Sequence, residues 1–176
     1  MNFRLARETD TPLIQKIIKS AFPDEENNAI RKLVAELVSE TTNPPIKSLV
    51  TEVDNHIVGY VSYSPIFLKC ETPISGYILS PLAVSPEHQK RGIGSNLINS
   101  GIEMLTRDGV DVLLVYGDPS YYGRFGFKEE IGRSFIPPYT LQYPFGWLGM
   151  KLNETIAFGQ SINFKCVSAL SKSSLW

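Results

Sequence analysis

The strand-to-helix segment at residues 79–107 is the feature that most restricts how this chain can fold. An apolar strand passes into an amphipathic helix through the sequence SPEHQKRGIGS. Gly92 and Gly94 allow backbone angles and close approaches that other residues rarely adopt. The first amides of a helix have no acceptor within it and lie at the positive end of its dipole. With Lys90 and Arg91 beside those amides, the segment predicts a cradle for an anion such as a pyrophosphate.

Two other glycine-rich phosphate loops do not match this segment. A Walker loop requires GxxxxGK[ST], and the chain contains no Gly-Lys-Ser or Gly-Lys-Thr sequence. A dinucleotide-binding loop requires GxGxxG, and Leu97 stands at the third glycine position. A glycine-rich turn that binds no ligand is the structural alternative.

Hydrophobic periodicity predicts the element order β-α-α-β-β-β-α-β, followed by a short helix and terminal strands. Residues 23–26 are predicted to form a turn between the first two helices. This order predicts an α/β (α+β) fold with a mixed, mostly antiparallel central sheet flanked by helices. The predicted elements after the second helix are strands at 48–53, 57–63 and 76–84, a helix at 92–107, and strands at 110–116, 146–152 and 162–169.

The composition favours a single globular domain and argues against several partners. Hydrophobic residues make up 43% of the 176 residues and charged residues 20%. Seventeen Lys and Arg against 18 Asp and Glu leave a net charge of -1, so we expect no nucleic-acid partner. No segment approaches the roughly 20 apolar residues of a membrane helix, and no signal peptide is evident. We therefore expect a cytoplasmic protein without a membrane partner.

The two cysteines and two histidines do not have the spacing of a metal site. Cys70 and Cys166 are far apart in sequence, and His56 and His88 are separate from both. We expect the cysteines to be buried as small apolar side chains, and we expect no metal cofactor.

The segment Gln89-Lys-Arg-Gly92-Ile-Gly94 resembles the Q/R-x-x-G-x-G/A signature of the GNAT superfamily of N-acetyltransferases. The resemblance implies that acetyl-CoA is the cosubstrate and that the signature's amides hold its pyrophosphate. It also implies that the end of the preceding strand pairs with the pantetheine arm. The coenzyme-binding residues so implied are Leu82, Ala83, Val84, Gln89, Lys90, Arg91, Gly92, Ile93, Gly94, Ser95 and, from a second motif, Tyr121.

Pro81 supports a parting of two central strands. Proline has no N–H for a sheet ladder and is confined to edges and bulges. We expect it to mark a bulge where its strand splays from the next, leaving backbone groups for an amide-bearing ligand.

A second motif, Gly117-Asp-Pro-Ser-Tyr-Tyr-Gly-Arg-Phe-Gly-Phe127, resembles the Y-x-x-x-G-F ending found in the same superfamily, and the whole run resembles an uncharacterised bacterial branch. The resemblance implies that Tyr122 is the general acid toward the departing thiolate. A phenol suits that role because it is neutral at pH 7 and can donate a proton. Tyr121 takes the role if the helix is rotated by one residue, and packing alone is the alternative for Tyr122. Asp118 is predicted to cap the short helix.

The resemblance implies direct acetyl transfer from acetyl-CoA to the amine of a small molecule or peptide. Glu25 and Glu26 are candidates for the base, with a solvated turn as the alternative, and His88 is expected to face solvent or phosphate. A hydroxyl acceptor, a longer acyl donor, and an acyl-CoA sensor or interaction module without turnover remain open. We expect a monomer or homodimer.

The resemblance covers about residues 3–130 of one domain at 1–176. The remaining residues, 131–176, are expected to complete the sheet and the acceptor side.

Overall fold

The computed structural model describes residues 2–69, 73–159 and 161–176. Its strands are β1 (Asn2–Leu5), β2 (Lys47–Val53), β3 (His56–Lys69), β4 (Gly76–Val84), β5 (Val112–Tyr116), β6 (Phe135–Ile136), β7 (Trp147–Lys151) and β8 (Ile162–Lys165). Its α-helices are α1 (Thr11–Ala21), α2 (Asp24–Ser39), α3 (Ile93–Arg107), α4 (Pro119–Tyr122) and α5 (Glu129–Gly132).

The strands form an open, mostly antiparallel sheet of eight strands in the order β1-β2-β3-β4-β5-β7, with β8 paired to β3 and to β6. The expected α/β fold with a mixed sheet and flanking helices is confirmed. Contacts divide the chain into two compact units, residues 1–63 with 80–101, and residues 64–79 with 102–176. The expectation of a single domain stays a prediction.

The first unit is built from an antiparallel ladder and two helices. β1 pairs with β2, and β2 pairs with the first half of β3 with a register shift between Thr51 and Glu52. The apolar stripes of α1 and α2 meet residues of this sheet in one core, because helical and strand periodicities both place apolar side chains on one face. The core residues are Ile14, Ile17, Ile18, Val34, Val50, Tyr60 and Ala83.

The second unit contains the parallel ladder between β4 and β5. β4 pairs with β5 in parallel register from Gly76↔Val112 to Leu79↔Val115, and β5 pairs antiparallel with β7. Residues 112–115 are almost completely buried, as the uninterrupted apolar run predicts. β8 pairs antiparallel with the end of β3 and parallel with β6.

The structure corrects the expected turn between the first two helices. Asp24, Glu25 and Glu26 form the first turn of α2, and Pro23 is its N-cap residue. Proline is well tolerated at a helix start, and acidic side chains there oppose the positive end of the helix dipole. The residues predicted as a turn are therefore a helix start.

Candidate functional site

The strand end Leu82–Val84 is anchored through its middle residue. The Ala83 side chain is buried in the core of the first unit, whereas Leu82 and Val84 are partly exposed. The Ser85 amide donates to the Val58 carbonyl at 2.8 Å, which fixes the point where the chain leaves β4. The β4–β5 ladder ends at Leu79, two residues before Pro81. The ladder therefore ends before Pro81, and the bulge expected at Pro81 stays a prediction.

Gln89 ties the glycine turn back to the strand. The chain passes through a 3₁₀ turn at Pro86–His88, after which the Gln89 Nε2 donates to the Val84 carbonyl at 3.1 Å. This bond gives the signature glutamine a positioning role: it closes the loop between strand and helix. The resemblance implies coenzyme contact for Gln89, and that contact stays a prediction.

Two left-handed residues shape the turn before α3. Lys90 has φ 59° and Gly92 has φ 78°, with Arg91 between them. A glycine adopts this conformation without penalty, whereas a lysine does so at a cost. A Cβ built on Gly92 meets no described atom within 4 Å, so the space above this residue is open. The sequence indicates the special backbone at Gly92 but not at Lys90.

The amides at the start of α3 are arranged as anion donors. The Asn96 amide donates to the Gly92 carbonyl at 2.9 Å, which is the first α-helical bond. By helix geometry the amides of Ile93, Gly94 and Ser95 have no acceptor within the helix. The Ile93 side chain is 1% exposed, so this residue can offer a ligand only its backbone.

The charges and polar atoms near this turn fit a phosphate group. Lys90 and Arg91 are exposed cations beside the helix start, where the dipole also favours an anion. The Nδ1 atom of His88 is buried and has no hydrogen-bond partner within residues 2–69, 73–159 and 161–176. The three helix amides and the two exposed cations form a donor set suited to a pyrophosphate. The Pro86–Ser95 segment therefore has the chemistry of the expected cradle.

Asp118 organises the second motif as predicted. Its Oδ1 accepts from the Ser120 amide and hydroxyl, each at 2.8 Å, and so caps α4. The Ser120 side-chain hydrogen bond, together with that of the Ser120 amide, lowers the pKa of the Asp118 carboxyl. An ionised Asp118 at a helix start is structural.

Tyr122 lies at the end of α4 with its ring against the backbone of Gly117. A Cβ on Gly117 would overlap the Tyr122 ring, so only glycine permits this approach. The ring also makes edge-to-face contacts with Tyr121 at 5.1 Å and Phe127 at 5.7 Å between centroids. Burial, and secondarily the charge of Tyr121, raise the pKa of Tyr122 well above its usual value. The phenol is therefore neutral and a hydrogen-bond donor across the physiological range.

Tyr121 has a different environment from Tyr122. The Arg124 guanidinium lies over the Tyr121 ring at 4.6 Å and over the Phe125 ring at 5.5 Å. Its Nε donates to the Tyr121 carbonyl at 3.2 Å. The chain's own cation therefore covers one face of Tyr121, and the two neighbouring tyrosines are not interchangeable.

The predicted site residues divide between the two units. Leu82 to Ser95 are brought together in the first unit, and Tyr121 and Tyr122 lie in the second. Glu25 and Glu26 are exposed in the first turn of α2, where they act on the helix dipole.

The cysteines and possible metal ligands carry no evident chemistry. Cys166 lies just beyond β8 and is partly exposed rather than buried within a strand, and burial raises the pKa of its thiol to about 12. Cys70 lies outside the described residues. Within the described ranges, no three His, Cys, Asp or Glu side chains come close enough to hold a metal ion. None of the described helices has the length and apolarity to span a membrane.

The chain thus combines a mixed, mostly antiparallel sheet with a strand that turns through glycines into the start of α3. A family model described as "Acetyltransferase (GNAT) family" matches residues 11–127. The chain belongs to this acetyltransferase family.

Three similar proteins illustrate the relationship. The Escherichia coli K12 protein named uncharacterized N-acetyltransferase YjhQ is 32% identical over 142 residues, covering 79% of this chain and 76% of that protein. The crystal structure of the E. coli N-acetyltransferase YhbS in complex with CoA superposes with a TM-score of 0.78 at 22% identity, covering 93% of this chain and 89% of that one. A Brucella melitensis GNAT acetyltransferase in complex with acetyl-CoA gives a TM-score of 0.69 at 23% identity, covering 96% of each chain. At these identities the two structures show the shared fold.

Proposed function

We propose that this protein transfers an acetyl group from acetyl-CoA to a primary amine. The observation that carries the proposal is the turn before α3, where Gly92 has φ 78° and a Cβ built on it meets no described atom within 4 Å. Further support comes from the fold, which two proteins solved with CoA or acetyl-CoA share.

The residues of the first unit would hold the coenzyme. The amides of residues 93–95 and the side chains of Lys90 and Arg91 would bind the pyrophosphate, as helix starts bind phosphates generally. The backbone of Leu82–Val84 would pair with the amides of the pantetheine arm. The coenzyme supplies an activated thioester. An N–H at this strand end would polarise the thioester oxygen while the neutral amine attacks the carbonyl directly.

Tyr122 would stabilise the sulfur that leaves. Its raised pKa keeps the phenol protonated, so a donor is available at every physiological pH. The same burial opposes formation of a phenolate, which favours a hydrogen bond to the developing thiolate over complete loss of the proton. The attacking nitrogen releases a proton to solvent as the C–S bond breaks, and solvent supplies the proton that the free thiol retains.

A thermal melt with acetyl-CoA tests the coenzyme assignment. A ligand that binds only the folded state stabilises it by about 2.7 kcal/mol at a concentration 100 times its Kd. The parent protein is expected to show a clear rise in Tm with millimolar acetyl-CoA. An unchanged Tm in a folded protein contradicts the assignment.

Two glycine variants separate coenzyme contact from backbone strain. Gly92 and Gly109 have φ of 78° and 75°, and a Cβ at either position meets no described atom within 4 Å. They lie at opposite ends of α3, so Gly92→Ala and Gly109→Ala introduce matched strain at different places. Both are expected to lower Tm by similar amounts, and Gly92→Ala alone to weaken acetyl-CoA binding. Equal coenzyme affinity in the two variants contradicts the cradle.

An acetyl-transfer assay across amine classes tests the reaction itself. Release of free CoA together with an acetylated amine supports the proposal. Tight coenzyme binding with no turnover on any amine or alcohol indicates a sensor, and turnover on alcohols alone indicates a different acceptor.

A further inference from the structure

An uncharged aromatic segment precedes and enters β7. The chain is 20% charged, yet residues 134–150 contain no Asp, Glu, Lys or Arg. Five aromatic residues lie in the same stretch, namely Phe135, Tyr139, Tyr143, Phe145 and Trp147. The segment therefore presents a surface chemistry unlike that of the chain as a whole.

Two of these rings face solvent, in contrast to the rest. Tyr143 is 53% exposed and Phe145 is 59% exposed, whereas Phe135 and Trp147 are 1% and 4% exposed. The Tyr143 and Phe145 rings contact each other with centroids 5.9 Å apart and planes tilted by 57°. We call this exposed pair the aromatic platform. Large exposed rings held together are unusual on a soluble surface and commonly mark binding sites.

The platform is held in place by hydrogen bonds to residues at the end of β5. The Tyr143 amide donates to the Tyr116 hydroxyl at 2.8 Å, and the Gly117 amide donates to the Gly146 carbonyl at 2.9 Å. A Cβ on Gly146 would lie within 2.9 Å of the Gly117 oxygen, so glycine is needed for this approach. The position of the platform is therefore fixed relative to residues 116 and 117.

Gly117 links the aromatic platform to Tyr122. Gly117 contacts the Tyr122 ring on its Cα side and bonds the Gly146 carbonyl through its amide. One residue thus joins the proposed hydrogen-bond donor of the reaction to the segment that carries the exposed rings. These contacts all lie within the second unit.

We propose that the aromatic platform binds the carbon skeleton of the acceptor, and that the acceptor is a cationic amine with an apolar body, such as an arylalkylamine. This inference rests on the function proposed above, which supplies the amine. Ring faces attract an ammonium group and pack against alkyl or aryl carbon, and residues 134–150 provide no charge that would favour an acidic acceptor. A sugar-based amine lacks the matching apolar surface.

Acetyl transfer to phenethylamine and to ethanolamine, matched primary amines of different polarity, tests the platform. Phe145→Ala and Tyr143→Ala are expected to lower kcat/KM for phenethylamine about five- to tenfold and that for ethanolamine less than twofold. Leu13→Ala, which truncates a side chain 45% exposed on α1, is the control and should change neither value. An equal loss of kcat/KM for both amines, or no loss for phenethylamine, contradicts the proposal that the platform binds the acceptor.

Direct binding of phenethylamine, measured by calorimetry in the presence of CoA, separates the two proposals. If no amine is acetylated but phenethylamine binding is weakened by Phe145→Ala, the platform stands and the proposed function fails. If amines are acetylated but phenethylamine binding and turnover are unaffected by Phe145→Ala, the platform fails and the function stands. Light scattering then measures the oligomeric state of Phe145→Ala and Tyr143→Ala. If that state changes and the preference between the two amines does not, the rings form an interface between copies of the chain and the proposal is overturned.

Discussion

At the scale of single residues, the position of the Tyr122 ring depends on a small neighbour, Gly117. Gly117 lets the ring lie against the backbone, and Tyr121 and Phe127 hold it edge-on. The hydroxyl is therefore carried on a ring whose position is set by packing, as an efficient donor requires.

Tyr122→Phe retains this packing and removes the hydroxyl alone. Turnover is expected to fall about 10²- to 10³-fold, the usual effect of losing one donor to a developing anion. Acetyl-CoA affinity and Tm should change little. Single-turnover kinetics with a saturating amine measure the effect on the chemical step.

Tyr121→Phe is the matched control for this prediction. Its ring is covered by Arg124, and its replacement should preserve most of the activity. If activity is lost in Tyr121→Phe and kept in Tyr122→Phe, the assignment is wrong by one residue. If both variants react like the parent, neither hydroxyl stabilises the departing sulfur and the role proposed for Tyr122 fails.

At the scale of elements, α3 depends on glycines that allow close packing. A Cβ on Gly59 in β3 would overlap the Ile93 side chain, and a Cβ on Gly101 would overlap the ring of Tyr63. The Tyr63 hydroxyl also donates to the Leu97 carbonyl at 3.1 Å. The helix that begins at the cradle is thus fixed along its length by a buried tyrosine.

Gly101→Ala is expected to lower the free energy of unfolding by about 1–3 kcal/mol, because the added methyl overpacks the Tyr63 contact. Gly123→Ala is the control, since Gly123 has φ -57° and open space around its Cα. That change should be neutral or slightly stabilising. Urea unfolding measures both, and a parent-like midpoint for Gly101→Ala would contradict the tight Tyr63 contact.

The helix and strand near the cradle can be predicted because the sequence patterns that indicate them are local. The strand at 76–84 and the helix ending at Arg107 appear where periodicity and the glycine turn predict them. The amphipathic helix that the sequence predicts has one buried face, formed by Ile93, Leu97, Ile98, Gly101 and Leu105.

Features that depend on distant partners could not be predicted in this way. β3 runs on to Lys69 because Phe67–Lys69 pair with β8, nearly a hundred residues later. β8 is shorter than predicted and ends at Lys165, before a 3₁₀ turn at Ser168–Leu170. The hydrogen bond from the Gly117 amide to the Gly146 carbonyl likewise joins residues that are far apart in sequence. The expected residue types of the site are thus readable from sequence, but the groups that position them are not.

At the scale of the whole molecule, each unit contains a buried carboxylate that favours its ionised form. Hydrogen bonding from Arg4 lowers the pKa of Asp10 against the opposing effect of burial. Burial opposes ionisation of Asp111 as well, but hydrogen bonds from Ser75 and Asn153 outweigh it and lower the pKa. Both aspartates are 7% exposed as whole residues, so each carboxyl is largely shielded from water.

A carboxyl whose pKa is lower in the folded state than in the unfolded state stabilises the fold at pH values above its unfolded-state pKa. This stabilisation is lost as the pH falls through the folded-state pKa. We expect urea midpoints to decline below about pH 4, where unfolded carboxyls bind protons. Asp111→Asn should lower stability at pH 7 by about 1–3 kcal/mol and flatten the acid decline. An equally steep decline in Asp111→Asn would assign the acid sensitivity to other groups.

Lys90 is a residue that selection for thermal stability alone would replace. Its left-handed backbone costs about 1 kcal/mol that a glycine would largely recover, despite the greater chain freedom of glycine when unfolded. Lys90→Gly is therefore expected to raise Tm while weakening acetyl-CoA binding through the lost cation. A laboratory selection scored only on heat resistance should enrich this change, and one scored on catalysis at limiting coenzyme should reject it. Competition between the parent protein and Lys90→Gly under each of the two selections measures these opposing effects directly.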